Sequence, residues 1–154
     1  MKKSPEPRIR ISVRRQRLVL EAGQKKLAEY PVSTSRFGLG SKEGSFKTPT
    51  GKFRIAERIG DGMPAGTVFK SRRPVRATKK MLREDDLVMT RILWLDGLEP
   101  RNANTHGRYV YIHGTNHEED LGTAASHGCI RMKNEDVVEL FDRVAEGTPV
   151  EIKP

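Results

Sequence analysis

Apolar side chains recur at every second position near the start of the chain, with charged or polar residues between them. The positions are Ile9, Ile11, Val13, Leu18 and Leu20. A period of two is typical of strands that bury one face. With a turn at 22–24 and a third strand at 26–33, the pattern predicts an antiparallel meander of three strands.

Later apolar stretches predict further strands at 53–59, 68–69, 92–95 and 108–113. Alternation in the last of these places Tyr109 and Tyr111 on one face with His113, which is expected at the strand's end. The segment 38–51 is rich in Gly, Ser, Lys and Thr and is expected to be an ordered surface loop. The charged segment 72–87 is consistent with a helix, a lid or a mobile excursion.

One helix is predicted near the end of the chain. Asn134 is a favoured N-cap residue, and Glu135 and Asp136 complement the positive start of a helix. The expected buried face has the spacing i, i+3, i+4, i+7, and its residues are Val137, Leu140, Phe141 and Val144. Gly147 is expected to end the helix, and a last strand is predicted at 150–152.

Together these elements predict a mainly β fold with one clear C-terminal helix and, as one alternative, a short helix or lid around 72–87. A chain of 154 residues can bury one core, so we expect a single domain over 1–154.

No stretch approaches the roughly 18 apolar residues of a membrane span. The basic start lacks the apolar segment of a secretion signal. On the chain as given we therefore expect a cytoplasmic protein, and the periplasm or cell envelope is the alternative if a leader has been removed or export uses another route.

The formal net charge of +9 is unevenly distributed, because residues 1–26 hold nine Lys or Arg and two Glu. Such a surface is suited to bind nucleic acid, an acidic polymer or an anionic substrate. It is equally consistent with charged residues that only keep the surface hydrated. Only 6% of residues are aromatic, and no nucleic-acid-reading motif is present. We therefore do not predict nucleic acid as a partner, and the oligomeric state is left open.

The chain has one cysteine, Cys129, in the run Ser126-His127-Gly128-Cys129. It cannot form an internal disulfide, so it is either an inert small hydrophobe or a reactive thiol. Neighbouring imidazoles favour the second interpretation, because acyl transfer needs a nucleophile, a base and donors facing the oxyanion.

In that interpretation Cys129 is the nucleophile, and His113 or His127 is the base. We prefer His113, because a base on a neighbouring strand can direct its ring at the sulfur. The N–H groups of Gly128 and Cys129 are the expected oxyanion donors. Arg131 is expected either to grip a substrate carboxylate or to form an internal salt bridge.

A zinc site is the competing interpretation of the histidines. The ligand types are present in His113, His117, Glu118, Glu119 and Cys129. The spacing from His113 to His117 converges on one ion only in a helix, and Gly114 follows an expected strand. We therefore predict no metal and no cofactor.

The motif region, 109–152, resembles the signature of the L,D-transpeptidase catalytic domain family, which is YkuD-like. The similar segments are Ile112–Asn116, Gly122 and Ser126–Met132, and Lys47–Phe53 is similar to the family's Thr-Pro-x-Gly-x-Phe turn. The resemblance implies a mainly β, sandwich-like fold. It also implies cysteine acyl transfer at the L,D peptide bond of peptidoglycan tetrapeptide stems, with release of the terminal D-residue.

Mapped onto this chain, the resemblance implies Cys129 as nucleophile and His113 as base, with the Gly114 carbonyl orienting the ring. Gly128 would contribute to the oxyanion hole. Ser126, His127 and Arg131 would bind substrate. Transfer to an amine would give a 3→3 cross-link, whereas transfer to water would make the protein an L,D-carboxypeptidase that trims recycled tetrapeptides. The alternative of another class is a non-enzymatic, basic wall-binding β domain.

Overall fold

The computed structural model describes residues 5–154, which contain ten strands and two α-helices. The strands are β1 (Pro7–Ser12), β2 (Arg17–Ala22), β3 (Lys25–Ser33), β4 (Gly51–Ile59), β5 (Val68–Lys70), β6 (Arg73–Val75), β7 (Val88–Gly97), β8 (Tyr111–Gly114), β9 (Ile130–Met132) and β10 (Pro149–Lys153). The helices are α1 (Lys79–Glu84) and α2 (Asn134–Phe141). Short 3-10 turns lie at Pro100–Asn102, His106–Arg108 and Glu118–Asp120. The predicted mainly β fold is confirmed.

Eight of the strands close into a ring in the order β4, β10, β1, β2, β3, β9, β8, β7, and β7 pairs with β4 to complete it. Neighbours in this ring are antiparallel except for β1 with β10 and β8 with β9. The hairpin of β5 and β6 pairs onto β7 outside the ring. The predicted meander of β1, β2 and β3 is confirmed.

The core lies inside this ring and is formed by the apolar positions that alternate along the strands. Ile9, Ile11, Leu18 and Leu20 are all 1% exposed or less. Helix α2 adds three fully buried side chains, Val137, Leu140 and Phe141. Burial of each such side chain contributes about 1.5–3 kcal/mol.

The predicted start and end of the C-terminal helix were wrong. Lys133 occupies the N-cap position, and Asn134 is the first helical residue. The Asn134 side chain instead donates to the Thr115 carbonyl at 2.8 Å and accepts from the Thr90 hydroxyl, so it ties the helix to neighbouring segments rather than capping it. The helix ends at Phe141, and Val144 is buried beyond it.

The strand predicted at 108–113 begins later than expected. His106–Arg108 form a 3-10 turn, and Tyr109 has a left-handed φ of +57°. Tyr109 is therefore outside β8, and the prediction that it shares a strand face with His113 was wrong. The short strands β6 and β9 were not predicted, because three residues are too few to show a period.

The segment 72–87 contains a short helix, α1, which is one of the expected alternatives. Thr78 caps it by accepting from the Met81 N–H at 3.1 Å. No helix within residues 5–154 is long and apolar enough to cross a membrane.

Candidate active site

The parallel pairing of β8 with β9 brings the predicted nucleophile and base to one face of the sheet. His113 lies opposite Arg131 in this pair, and Cys129 comes directly before β9. Because side chains alternate along a strand, Cys129 and Arg131 face the same side as His113. On the other side, Ile112 and Ile130 are completely buried in the core.

A small cavity of about 80 Å³ opens on that face. Its lining residues are Asp86, Val88, His113, Ser126, His127, Cys129 and Arg131. Five of the seven predicted site residues therefore meet around one space. The other two, Gly114 and Gly128, contribute through their backbones. The structure thus places the candidates together, and it adds Asp86, which sequence reasoning missed.

The ring of His113 is 3% exposed and is fixed by its own strand. Its Nδ1 lies 2.5 Å from the Gly114 carbonyl oxygen. A carbonyl can only accept, so Nδ1 carries the proton and Nε2 is the basic nitrogen. Burial lowers the pKa of His113, although the Gly114 hydrogen bond and the charge of Asp86 oppose that effect. The imidazole is therefore neutral near pH 7.

Any side chain at position 114 would displace the backbone carbonyl that holds the His113 ring. A β-carbon there would run into the Asn134 side chain and the Met89 carbonyl. The close packing of Gly114 explains why the acceptor for His113 is a glycine carbonyl at the end of a buried strand.

The sulfur of Cys129 lies between two backbone groups. The Tyr111 N–H donates to Sγ at 3.3 Å, and the thiol donates to the Tyr109 carbonyl at 3.4 Å. Burial raises the pKa of Cys129 to about 11. The Tyr111 N–H and the charges of Arg131 and Arg108 oppose this rise, whereas Asp86 adds to it. The resting site therefore holds a thiol beside a neutral imidazole, and not a preformed ion pair.

The turn before Cys129 is held by hydroxyl groups. Ser126 Oγ accepts from the Gly128 N–H at 3.2 Å and donates to the Cys129 carbonyl at 2.6 Å. Thr48 donates to the Gly128 carbonyl at 2.9 Å. Gly128 has a φ of +124°, a conformation that side chains strongly disfavour.

The two expected oxyanion donors, the N–H groups of Gly128 and Cys129, differ in whether they already have an acceptor. The Gly128 N–H is already bonded to Ser126, whereas the structure records no acceptor within residues 5–154 for the Cys129 N–H. The role of Thr48 was missed, although the Thr-Pro-x-Gly turn that contains it was recognised. The sequence motif contains Thr48, but it does not indicate that the hydroxyl of Thr48 binds the Gly128 carbonyl.

Arg131 is engaged in an internal ion pair, one of the two expected alternatives. Its Nη2 lies 2.9 Å from Asp86 Oδ2, and the same oxygen lies 3.0 Å from His127 Nδ1. Burial would raise the pKa of Asp86, but Arg131 and His127 outweigh it, so that pKa is lowered. The His127 ring also lies against Phe37 and Phe46, with centroids 5.8 and 6.1 Å away.

A second, more open groove of about 400 Å³ reaches Cys129 from another direction. Its walls include Phe46, Arg108 and Tyr109. Beside it, Arg72 at the tip of the β5–β6 hairpin stacks over Trp94 and donates to the Tyr111 hydroxyl at 3.1 Å. The sulfur is therefore approachable from the small cavity and from the groove.

The residues considered for zinc do not all come together. In the part of the chain that the structure describes, the one group of potential ligands close enough for a shared ion is His117, Glu119 and Asp120. Neither Cys129 nor His113 belongs to it. Exposed acidic groups of this kind are common without a metal.

Comparison with known proteins supports the same family as the motif. The model of the L,D-transpeptidase catalytic domain family, YkuD, matches residues 6–152. YkuD of Bacillus subtilis, named as an L,D-transpeptidase, is 28% identical over 145 residues, which cover 94% of this chain and 64% of that protein. The chain thus spans less than two thirds of this relative's length.

Solved structures share the fold. An L,D-transpeptidase from Xylanimonas cellulosilytica is similar with a TM-score of 0.64 at 17% identity, over 99% of this chain and 63% of that one. L,D-transpeptidase 3 from Mycobacterium tuberculosis, in complex with a faropenem-derived adduct, gives 0.64 at 16% identity, over 97% and 61%. Since the family model covers nearly all of its length, the chain belongs to the L,D-transpeptidase catalytic domain family.

Proposed function

We propose that this chain catalyses acyl transfer from the L,D peptide bond of a peptidoglycan tetrapeptide stem through a thioester on Cys129. The observation that carries the proposal is the shared face of β8 and β9, where Cys129 and His113 line one cavity. Family membership supports the reaction class, and the geometry supports the roles assigned to the residues.

In the first half-reaction, His113 Nε2 takes the proton from the Cys129 thiol as the sulfur attacks the carbonyl carbon. Transfer of the proton during the attack, and not before it, suits a site whose thiol and imidazole are both neutral at rest. The carbon–nitrogen bond then breaks, and the imidazolium returns the proton to the leaving amine of the D-residue. The products are a free D-amino acid and an acyl-thioester.

Charge develops on the carbonyl oxygen in the transition state, and backbone N–H groups are suited to stabilise it. The Cys129 N–H is available for this role. The Gly128 N–H can join it if Ser126 Oγ gives up a 3.2 Å hydrogen bond that is long for a strong contact. Ser126 and Thr48 thus position the turn, and Gly128 lets the backbone adopt it.

Substrate binding is assigned to charged and aromatic groups around the cavity. Stem peptides carry several carboxylates, and Arg131 and Arg108 both lie close enough to the sulfur to influence its pKa. His127 closes one side of the cavity and is itself flanked by exposed aromatic rings. The net charge of +9 favours encounter with an anionic wall fragment.

In the second half-reaction an amine of a neighbouring stem attacks the thioester carbonyl and His113 accepts the amine proton. The carbon–sulfur bond then breaks, and His113 returns the proton to the sulfur, which regenerates the thiol. A 3→3 cross-link results. The groove of about 400 Å³ beside Cys129 supports an amine acceptor, because it offers a second peptide its own approach to the sulfur. Attack by water would instead release a tripeptide.

The test is incubation of the protein with a disaccharide tetrapeptide, read by mass spectrometry. We expect release of terminal D-alanine and formation of a cross-linked dimer, both abolished in Cys129→Ala and His113→Gln. The matched histidine control is His117→Gln, which lies outside the cavity and should retain activity. Tripeptide without dimer would identify the carboxypeptidase.

Equal product from wild type and Cys129→Ala, or no product from either, would overturn the proposal and favour the wall-binding alternative. Fractionation of native cells, together with the length of the native protein, would decide whether the substrate is met in the cytoplasm or in the envelope.

A further inference from the structure

Arg131 is a buried cation whose nearest counterion comes from a distant segment. Its side chain is 4% exposed, and Asp86 Oδ2 lies 2.9 Å from Nη2. The other carboxylate nearby, that of Asp120, is 4.0 Å away. The Nε atom is buried and has no hydrogen-bond partner among residues 5–154. The guanidinium is therefore only partly satisfied by the protein.

A buried guanidinium with unused donors is well suited to bind a carboxylate. Burying an unpaired charge is costly, and guanidinium binds carboxylates through two parallel hydrogen bonds. Asp86 contacts Arg131 through one oxygen, which it shares with His127. The pair thus resembles a carboxylate-binding site that a protein side chain occupies from within.

A second cavity can receive the Asp86 carboxylate when another carboxylate binds Arg131. The Asp86 side chain is 34% exposed and lines two spaces, the 80 Å³ cavity with Cys129 and a separate cavity of about 600 Å³ between α1 and β5. Rotation of its side chain can move the carboxylate from the first space towards the second. No large movement of the backbone is needed.

The backbone around Asp86 is held in place independently of its carboxylate. Asn116 donates to the carbonyls of Leu82 and Asp85 at 2.9 and 2.8 Å. Its Oδ1 accepts from the Leu87 N–H at 3.1 Å. Residues on both sides of Asp86 are therefore anchored, which leaves the side chain as the part that can exchange.

We propose that Asp86 is a built-in competitor for the Arg131 site, which it occupies until a carboxylate of the donor stem replaces it. The identity of that carboxylate rests on the proposed function. Exchange of one carboxylate for another keeps the buried guanidinium paired throughout. A ligand without a carboxylate at this position cannot make the exchange, so the contact also selects substrates.

Kinetics of Asp86→Asn test the proposal, since asparagine keeps the shape but removes the competing charge. We expect KM for the tetrapeptide to fall roughly twofold to fivefold, the range of a partly exposed ion pair, with kcat little changed. Asp86→Ala should behave likewise. The matched control is Asp61→Asn, an exposed residue that lines neither of the two cavities, which should leave KM unchanged.

A second measurement needs no turnover. Acetate, with chloride at equal ionic strength as the control, should slow the alkylation of Cys129 by iodoacetamide more strongly in Asp86→Asn than in wild type. Equal protection of both proteins, or a fall in kcat with unchanged or raised KM, would show that Asp86 positions Arg131 and does not compete. If wild type released no D-alanine, the proposed function would fail, and the acetate comparison would still decide this inference.

Discussion

The hydroxyl of Thr48 donates a 2.9 Å hydrogen bond to the carbonyl of Gly128, a residue 80 positions later in the chain. The same hydroxyl oxygen accepts from the Ser35 N–H at 3.0 Å. The Thr-Pro-x-Gly turn and the turn that carries Cys129 are thereby joined at a buried point. The position of Cys129 thus depends on a side chain that the proposed mechanism does not use.

Thr48→Val should lower both stability and activity. It keeps the shape of the side chain but leaves the buried Gly128 carbonyl without its donor, which costs about 1–3 kcal/mol. We expect kcat to fall more than KM changes, because the turn and not the substrate contact is disturbed. Thr48→Ser retains the hydroxyl and should stay close to wild type in denaturant unfolding and in D-alanine release. Equal behaviour of the two variants would contradict this role.

The neutral resting state of the Cys129–His113 pair predicts slow alkylation at moderate pH. With a pKa of about 11 for Cys129, the thiolate fraction at pH 8 is small. Allowing for the greater intrinsic nucleophilicity of a basic thiolate, iodoacetamide should react about tenfold more slowly than with a free cysteine. The rate should continue to rise as the pH approaches 11. A plateau already below pH 8 would instead indicate a preformed thiolate–imidazolium pair.

Gly128→Ala tests the backbone conformation of the turn before Cys129. A φ of +124° is strained for any residue with a side chain, and such strain costs about 1–3 kcal/mol. We expect the turn to relax and kcat to fall by at least an order of magnitude. Gly122→Ala is the matched control: φ is +95°, and a β-carbon there would meet no atom within 4 Å. It should lose stability but keep activity, as measured by unfolding and product release.

A pH-dependent contribution to stability is expected from Tyr30, whose hydroxyl donates to Glu139 Oε1 at 2.7 Å and so joins β3 to α2. Burial, followed by this hydrogen bond, raises the pKa of Tyr30 from 10.0 to about 12. Because the folded state favours the protonated phenol, the contribution is fully present below pH 10 and is lost as the pH rises through 12.

Tyr30→Phe should therefore be less stable than wild type by about 1 kcal/mol at pH 8, and the difference should shrink or reverse above pH 10. Urea unfolding of both proteins at several pH values measures it. A difference that stays constant across this range would contradict the assignment.

Much of the fold could be predicted because the strands with one buried face show their period plainly. Ile9, Ile11, Leu18 and Leu20 all point into the core as expected. The closure of the ring through β4 and β7 could not be predicted, since nothing local specifies which distant strands pair. Nor could β9, whose three residues are too few for a period to appear.

The candidate site likewise contains residues that could be predicted from the sequence and residues that could not. The contiguous run that ends in Cys129 and the preceding His113 carry a recognisable motif, so their proximity was expected. Asp86 and Thr48 come from loops and meet the site only through tertiary packing. A single aspartate in a charged segment carries no local signal that distinguishes it from Asp85 beside it.

Intact-protein mass spectrometry of the acylated enzyme tests the central claim most directly. The protein is mixed briefly with excess tetrapeptide, quenched in acid and digested to locate any added mass. We predict an increase equal to the tripeptide acyl group, located on Cys129, absent in Cys129→Ala and much reduced in His113→Gln. D-alanine release without any such adduct, or with the adduct on another residue, would contradict the account.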